Sequence, residues 1–443
     1  MCQAHPAREE LESFMLGDLP PQDTLKVLLH LLPGCARCQE ITSAIWCIGM
    51  EAEPPAETPD SDRFVYDSSI ERVFTMARRT RAVLDGERSE AAELAAELAG
   101  HDAQWRPWLV RNDSRFQTWG VCELLLRRSQ GGYTEEPREA AELAELAVVV
   151  AESLDPRRHP RFLLGDLRAR AWACLGNVRR ILSDFLGAEE AFRQAEQHLA
   201  QGTGDRVEKA SLFDLLASLR NAQGRFAEAL RLLDRAVVLF RRAGQNHLVG
   251  RALINKGYVQ VCAGNSEAAV ELLRQGLTLA DTGREPRLVL AARHALAYLL
   301  HELGRNDLAA DLLARSGSLY DQVGGRMDLV RRRYLEGQIA AATGRPGEAE
   351  AALQEARAAF AEQGIGYDAA LAALDLAAVY VGQGRWSEVR ALAAEMIPLF
   401  EARHQHRDAL AALILFNKAA ESESLTAGLV REIAGQLRKA RRD

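Results

Sequence analysis

The stretch that decides the fold is NAQGRFAEAL, residues 221–230, in which Gly224 stands between two helix-forming runs. The same glycine recurs four times downstream at an unvarying spacing of 40 residues, in the contexts AGNS, LGRN, TGRP and QGRW. The five glycines are Gly224, Gly264, Gly304, Gly344 and Gly384. A constant period of this length is typical of a protein built from stacked structural repeats.

Two further positions recur with the same forty-residue period as these glycines. Seven residues before each glycine the residue is always Ala or Gly, and sixteen residues after it four of the five residues are Phe or Tyr. The pattern predicts a helix that ends near the glycine, a tight turn, and a second helix that runs back antiparallel. Small residues would let the helix axes approach closely, and the aromatic residue would fill the gap to the next pair.

The small-residue positions, the Gly-Arg/Asn turn and the alanine that follows it resemble tetratricopeptide repeats, in a longer variety near 40 residues. A more degenerate copy, LGNVRRILSDFLGAEEAF at 175–192, precedes the five regular ones. The resemblance implies an all-α fold, a right-handed α-α superhelix whose first helices line a concave groove. It further implies that the groove holds a peptide or a partner protein.

The composition changes along the chain and predicts five segments. We expect a small Cys/His-rich helical head over 1–50, an acidic, proline-containing linker over 51–66, and a divergent helical cap over 67–163. The repeats should then occupy 164–420, and an amphipathic closing helix 421–443.

Overall composition excludes several classes of protein. Hydrophobic residues make up 48% and charged residues 26% of 443 residues, which argues against a disordered chain. The net charge is −7, without the basic excess of a nucleic-acid-binding protein, so a nucleic-acid partner is not expected. Neither a secretory signal nor an apolar run of membrane-spanning length is visible. The seven cysteines, an odd number, suit a reduced, cytoplasmic protein.

A metal-like constellation lies in the head. The pair Cys35-Ala-Arg-Cys38 can place two thiolates on one metal ion, because a two-residue spacer brings both sulfurs around a single turn. Together with His5 and His30 it would complete a tetrahedral zinc site, structural rather than catalytic because no position is left for water. The alternatives are an empty reduced site, an ordinary buried cysteine pair, or a redox dithiol.

The combination HPAREELESFMLGDLP…LLHLLPGCARCQE resembles the zinc-binding anti-sigma domain. In that family a histidine at the head of the first helix joins an H-x3-C-x2-C cluster, which here implies His5, His30, Cys35 and Cys38 as ligands. This chain has H-x4-C instead of H-x3-C, with Cys2 as a possible substitute for His5. The resemblance implies a sigma factor as partner of the head, although such domains also serve as plain protein-binding modules.

Signatures of common enzyme classes are missing from the sequence. It contains no phosphate loop, dinucleotide fingerprint, H-E-x-x-H pair or nucleophile elbow. We therefore expect no catalytic residue and a protein that is not an enzyme.

Groove residues follow from the repeat phase by analogy with the tetratricopeptide family. Positions thirteen, ten and six residues before the turn glycine should face inward, and one asparagine lies a step off this register. The candidate partner-binding residues are Arg251, Asn255, Tyr258, His294, Tyr298, Arg331 and Tyr334. Arg and Tyr anchor interfaces well. Equally, Tyr258 and Tyr298 could fill the seam between neighbouring helices, and Arg331 could belong to a solvated, ion-paired face.

These observations predict a non-enzymatic, cytoplasmic regulatory scaffold with an anti-sigma-like zinc head and a partner-binding repeat array. Two alternatives stay open: an assembly adaptor whose head is only structural, and a receptor for a signalling peptide.

Overall fold

The computed structural model describes residues 5–16, 61–133, 136–401 and 426–440. It also describes the single positions Leu19, Pro20, Asp23, Val27, His30, Cys38, Phe416, Ala419 and Ala420. Every regular element within these residues is a helix, and none of them lies in a strand, which confirms the all-α prediction. The chain divides into two compact units, Met1–Leu164 and Gly165–Asp443.

One helix of 39 residues dominates the first unit. The helices of this unit are α1 (Arg8–Leu16), α2 (Ser61–Ala99), α3 (Arg106–Asn112), α4 (Trp119–Gly131) and α5 (Pro137–Ser153), with a 3₁₀ turn at Ser114–Phe116. The long helix α2 overlaps the linker that the sequence predicts over 51–66, since 61–66 are helical and 51–60 lie outside the described residues. Pro59 is the last helix-breaking residue before α2, so the helix can begin directly after it.

A buried carboxylate joins three segments of the first unit. Glu87 of α2 is only 6% exposed and accepts a 2.6 Å hydrogen bond from the backbone N–H of Trp119, the first residue of α4. Its two oxygens each lie 3.1 Å from Nε2 of His159, which follows α5. The helices α2 and α4 approach so closely that a Cβ at Gly120 would lie 2.2 Å from the carbonyl oxygen of Glu87.

Helices from α6 onward form a stack in chain order. They are α6 (Arg161–Ile181), α7 (Phe185–Leu199), α8 (Arg206–Ala222), α9 (Phe226–Arg242), α10 (Asn246–Cys262), α11 (Ser266–Leu279), α12 (Pro286–Glu302), α13 (Asn306–Arg315), α14 (Gly317–Val323), α15 (Arg326–Ala342), α16 (Pro346–Glu362), α17 (Gly366–Gly382), α18 (Trp386–Glu401) and α19 (Ala427–Ala440). From α7 to α14 and again from α15 to α18 each helix packs on the next, and α19 packs on α17. In the repeats that the sequence defines, α8, α10, α12, α15 and α17 are the first helices of their pairs.

The glycine that sets the period ends the first helix of each repeat. All five turn glycines have φ between 71° and 82°, in the left-handed region that favours glycine. The residue after the glycine donates its backbone N–H to the carbonyl five positions back, as Arg225 does to Arg220 at 2.8 Å and Arg385 to Tyr380 at 3.0 Å. This is the hydrogen bond of a Schellman motif, and it satisfies a carbonyl that the helix end leaves free.

Half-way between these turns the structure uses a second set of glycines that the sequence analysis missed. Gly244 and Gly364 also have positive φ and end second helices of their pairs, and Gly204, with φ 77°, lies in the loop after α7. The corresponding positions 284 and 324 differ, because the first is Arg284 and the second, Gly324, has φ −69°. The two exceptions coincide with a short α11 and with a second helix that is interrupted between α13 and α14.

Small residues make the close contacts that the repeat pattern predicts. Gly257 and Gly337 lie so near the facing helix that an added Cβ would be 2.9 Å from Cγ of Leu273 and Leu353, respectively. Their equivalents Ala217, Ala297 and Ala377 are at most 1% exposed. The aromatic residues Phe240, Tyr320 and Phe360 are also at most 1% exposed and fill the seams between pairs.

Candidate metal centre and groove

Three of the four ligands that the sequence proposes for a metal lie together in the head. Nδ1 of His5 is 3.3 Å from Nε2 of His30 and 3.5 Å from Sγ of Cys38, and the three donor atoms all lie within 4.8 Å of one another. Cys38 is 1% exposed and packs with Leu11 and Val27, whereas His5 is exposed. Cys35, the fourth predicted ligand, lies outside the described residues.

The donor spacing can be compared with the edges of a zinc tetrahedron. With Zn–N near 2.05 Å and Zn–S near 2.3 Å, tetrahedral angles place two nitrogens about 3.3 Å apart and a nitrogen and a sulfur about 3.6 Å apart. The two measured spacings at His5 agree with these values. Two imidazoles and a thiol are also the donor set that zinc prefers. The residues present therefore fit a structural zinc ion.

Local structure explains why His5 stands where it does. The carboxylate of Glu10 accepts a 2.8 Å hydrogen bond from the backbone N–H of Ala7, which caps the start of α1. His5 precedes this capped turn, and His30 and Cys38 return to it from later in the chain. Within the part of the chain that the structure describes, these three residues form the only group of three or more His, Cys, Asp or Glu side chains close enough to share an ion.

In the repeats, Arg251 and Asn255 of α10 are engaged with the preceding first helix, α8. Asn255 donates a 2.8 Å hydrogen bond to Oδ1 of Asp214, and Nε of Arg251 lies 3.4 Å from Oδ2 of the same residue. Arg251 also pairs with Glu285 at 3.3 Å. Burial raises the pKa of the Asp214 carboxyl above its ordinary value, although Arg251 and Asn255 act to lower it.

A similar cross-helix contact joins α15 to α17. The hydroxyl of Tyr334 donates a 2.5 Å hydrogen bond to Oδ2 of Asp375, and Nε2 of Gln338 donates to the same oxygen at 2.7 Å. The ring of Tyr334 packs edge-on against Phe360, with centroids 5.9 Å apart. Tyr334 therefore contributes to packing between repeats as well as to the surface.

The remaining candidates lie in the middle of the array. Nδ1 of His294 is 2.7 Å from the hydroxyl of Tyr320, and burial, aided by the charge of Arg331, lowers the pKa of His294 to about 4. Arg331 is half exposed and lies 4.0 Å from Asp328. Tyr298 is half-buried against the core formed by α10 to α15.

Tyr258 differs from the other candidates. Its ring packs against the same core, and burial alone raises the pKa of its hydroxyl to about 12. No hydrogen bond joins this hydroxyl to any described residue, yet it is not among the fully buried unpaired polar atoms, so it remains accessible to solvent. Tyr258 thus combines a fixed ring with a free polar group.

Sequence reasoning missed the carboxylates that organise this face, Asp214 and Asp375. Both lie on first helices, ten and nine positions before their turn glycines. Asp375 occupies the same repeat position as Asn255, which the sequence analysis did single out. The position in the repeat could therefore have identified Asp375 as a groove residue. The residue type alone could not, because acidic residues lie on many helix faces.

Comparisons with known proteins agree with this architecture. Residues 208–282 match the tetratricopeptide repeat family. The fold resembles a Rap protein complexed with Competence and Sporulation Factor, at 14% identity and TM-score 0.51, over 73% of this chain and 87% of that one. It also resembles a signal transduction ATPase with a tetratricopeptide repeat sensor from Pyrococcus horikoshii, at 15% identity and TM-score 0.51, over 94% of this chain and 55% of that one.

A search of curated proteins gives no match to the chain. None of the described helices combines the length and the apolar character that crossing a bilayer requires. The tetratricopeptide repeat match thus covers residues 208–282, and the forty-residue period and the stacked helix pairs continue beyond them.

Proposed function

We propose that this protein is a non-enzymatic, cytoplasmic scaffold whose repeats bind a protein or peptide and whose head binds a regulatory partner. The observation that carries the proposal is the face formed by the first helices of the repeats. It presents polar and aromatic side chains, such as Tyr258 and Arg331, in place of the continuous apolar surface that a further helix would cover. Aromatic and arginine side chains with part of their surface accessible are the groups that anchor partners.

Zinc would give the head a fixed shape. His5, His30, Cys38 and the proposed ligand Cys35 would hold it, and a closed tetrahedral site supplies folding free energy without an open position for chemistry. A segment of about 50 residues can bury little apolar surface, so a head of this size benefits from a metal cross-link. His5 would tie the start of α1 to the later segment.

Metal content tests this part of the proposal. Full-length protein purified under reducing conditions should contain about one zinc per chain, as expected for a single tetrahedral site. The variant Cys38→Ser should lose most of it, whereas Cys262→Ser, at an exposed cysteine in α10, should retain it. Wild-type protein that takes up no zinc from a zinc-supplemented, reduced buffer would contradict the assignment.

A sigma factor is the partner that we propose for the head, on the basis of its resemblance to the zinc-binding anti-sigma domain. Affinity capture with full-length protein, Cys38→Ser and Cys262→Ser would test it. A sigma factor should be captured by the wild type and the control and lost with Cys38→Ser. Capture of the same proteins by all three would remove the anti-sigma role and favour an adaptor whose head is only structural.

The repeat face favours a peptide as a second candidate partner. The Rap protein that this fold resembles was solved in complex with Competence and Sporulation Factor, and the half-exposed Arg331 offers a charge to a bound chain. Arg331→Glu should release a groove-bound partner without affecting a partner of the head. Co-purification of a short peptide would support a receptor, and co-purification of a large complex would support an adaptor.

A further inference from the structure

Two tryptophans are exposed beyond the C-terminal end of the long helix α2. Trp105, directly before α3, and Trp108, in the first turn of α3, are 55% and 56% exposed. Their spacing of three residues places both on one face of the helix. The cavity of about 350 Å³ at this face is lined by Gly100, His101, Asp102, Trp105, Trp108 and Leu109. Single exposed apolar residues are ordinary, whereas two large aromatic rings at one cavity mark a binding surface.

The backbone that carries both rings is held in place. Arg106 donates hydrogen bonds of 3.0 and 2.9 Å to the carbonyls of Ala99 and His101, which ties the start of α3 to the end of α2. The side chain of Asn112 donates a 2.7 Å hydrogen bond to the carbonyl of Trp108. A surface that is fixed before a partner arrives loses less entropy on binding.

Both indoles also keep a polar group for a partner. Within the described residues neither Trp105 nor Trp108 uses its Nε1–H in a hydrogen bond, whereas Trp119 donates its own to Glu123 at 2.7 Å. Aromatic-lined grooves of this kind bind proline-rich segments. The flat rings pack on the prolines, and the N–H groups can donate to the carbonyls that an extended polyproline chain leaves free of internal hydrogen bonds.

A segment with this chemistry is present in the chain itself. Residues 51–60 read EAEPPAETPD and contain three prolines, Pro54, Pro55 and Pro59. They also contain four acidic residues and no basic one. The segment ends directly before Ser61, where α2 begins.

The charge around the cavity suits an acidic segment. Helix α3 carries Arg106 and Arg111 and no acidic residue, against one acidic residue in the lining, Asp102. Arg106 is hydrogen-bonded to carbonyls only, and Arg111 is exposed. Neither arginine has an ion pair within the described residues, so both charges can attract the carboxylates of a bound segment.

The segment of one copy cannot reach the cavity of the same copy. Helix α2 has 39 residues and is therefore about 58 Å long. The segment joins its N-terminal end, and the tryptophans lie beyond its C-terminal end. Ten residues span at most about 35 Å when fully extended. Only the segment of a second copy can therefore fill the cavity.

We propose that residues 51–60 of one copy bind at Trp105 and Trp108 of a second copy, so that two reciprocal contacts hold a dimer together. The prolines pack on the indole rings, and the acidic residues face Arg106 and Arg111. This contact involves neither the metal ligands of the head nor the groove of the repeats.

A fluorescein-labelled peptide of residues 51–60 tests the contact directly. The receptor is full-length protein with Pro54→Ala and Pro55→Ala, whose own segment competes less for the cavity. Adding Trp108→Ala should weaken binding about thirtyfold, as expected for a central aromatic anchor. Alanine at both prolines of the peptide should weaken it about tenfold, because the free peptide then loses more entropy. Leu308→Ala, at a leucine that is 57% exposed, is the control and should leave binding unchanged.

A mixing experiment tests whether the contact forms between copies. In sedimentation velocity the wild type should be a dimer at concentrations where the double proline variant and Trp105→Ala are each monomeric. An equimolar mixture of the two variants should associate again, because one of the two contacts is then intact. A general folding defect in either variant would not be rescued by mixing.

Three results would overturn the proposal. The first is a wild type that remains monomeric, and the second is a dimer that persists in both variants. The third concerns lipid, since tryptophan is also common at membrane surfaces. Wild-type protein that binds vesicles of phosphatidylcholine and phosphatidylglycerol through Trp108, and does not bind the peptide, would assign this surface to a membrane instead.

Discussion

The two compact units hold their helices together by different means. In the first unit a single buried carboxylate, Glu87, joins α2 to the start of α4 and to the segment after α5. In the second unit the same small contacts recur every forty residues, so that Gly257 and Gly337 meet Leu273 and Leu353 in the same way. Removing one such contact should therefore destabilise the first unit more than the second, because each repeat of the second unit depends mainly on its neighbours.

The largest expected effect comes from removing the buried carboxylate of Glu87, which we call the hub of the first unit. Replacement Glu87→Ala leaves the N–H of Trp119 and the ring of His159 without their acceptor in a buried site, and should lower the free energy of unfolding of this unit by about 3 kcal/mol. Chemical denaturation of the full-length protein, followed by Trp fluorescence, would measure it. The exposed Glu93→Ala on the same helix is the control, and an equal effect of the two variants would contradict the role of the hub.

The next largest effect is a loss of stability of the second unit at low pH, caused by protonation of His294. Its folded pKa of about 4 lies below the ordinary value of 6.5, because burial disfavours the charged ring and Arg331 repels it, with Asp328 opposing. The neutral ring therefore stabilises the fold above pH 6.5, and this contribution is lost as pH falls towards 4. Integrated over that shift, the loss is about 2 to 3 kcal/mol.

Thermal unfolding at a series of pH values would measure this dependence. In His294→Gln the part of the pH dependence between 6.5 and 4 should disappear, although the variant also loses the contact with Tyr320 and starts from lower stability. An unchanged slope in the variant would assign the acid sensitivity to other groups.

A third experiment probes one repeated contact. In Gly257→Val the added side chain would collide with Leu273, where a Cβ alone would lie 2.9 Å from Cγ, and stability should fall by about 2 kcal/mol. Gly382→Val is the matched control at the end of another first helix, because nothing lies within 4 Å of its added Cβ. Equal losses in the two variants would mean that helix propensity, not the close contact, explains the glycine.

The smallest expected effect is a gain. Ser183 occupies the turn position that glycine holds in the regular repeats, and with φ 63° it is the one described non-glycine residue in the left-handed region. Ser183→Gly should remove strain worth up to about 1 kcal/mol and raise the thermal midpoint of the second unit. The control Ser218→Gly, inside α8, should have the opposite sign because glycine weakens a helix interior.

The repeats could be predicted because their physical requirements recur in the sequence. One backbone conformation needs glycine at every fortieth residue, and one close helix contact needs a small residue seven positions earlier. The second series of glycine turns escaped prediction because it is incomplete, with Arg284 and an ordinary φ at Gly324 interrupting it. The buried hub at Glu87 left no sequence signal, since its partners lie 32 and 72 residues away with no fixed spacing.

The head could be predicted in part, less fully than the repeats but better than the contacts of Glu87. Ligand type and spacing predicted His5, His30 and Cys38 as neighbours, and the structure brings these three together. In the groove, Arg251, Asn255 and Tyr334 were predicted as contacts for a partner, and the structure gives each of them a partner within the chain. The repeat phase predicts which positions share a face but not which of them pair, because pairing depends on the residue that the neighbouring helix carries.

The turn glycines also determine how the array can change in length. Because every regular first helix ends in the same left-handed residue followed by the same backbone hydrogen bond, the chain enters and leaves each unit in an equivalent conformation. Removing or duplicating one forty-residue block would therefore rejoin matching ends without a new loop. Genetic duplication can lengthen such a protein in whole steps, and the same property makes single units exchangeable between positions in engineered arrays.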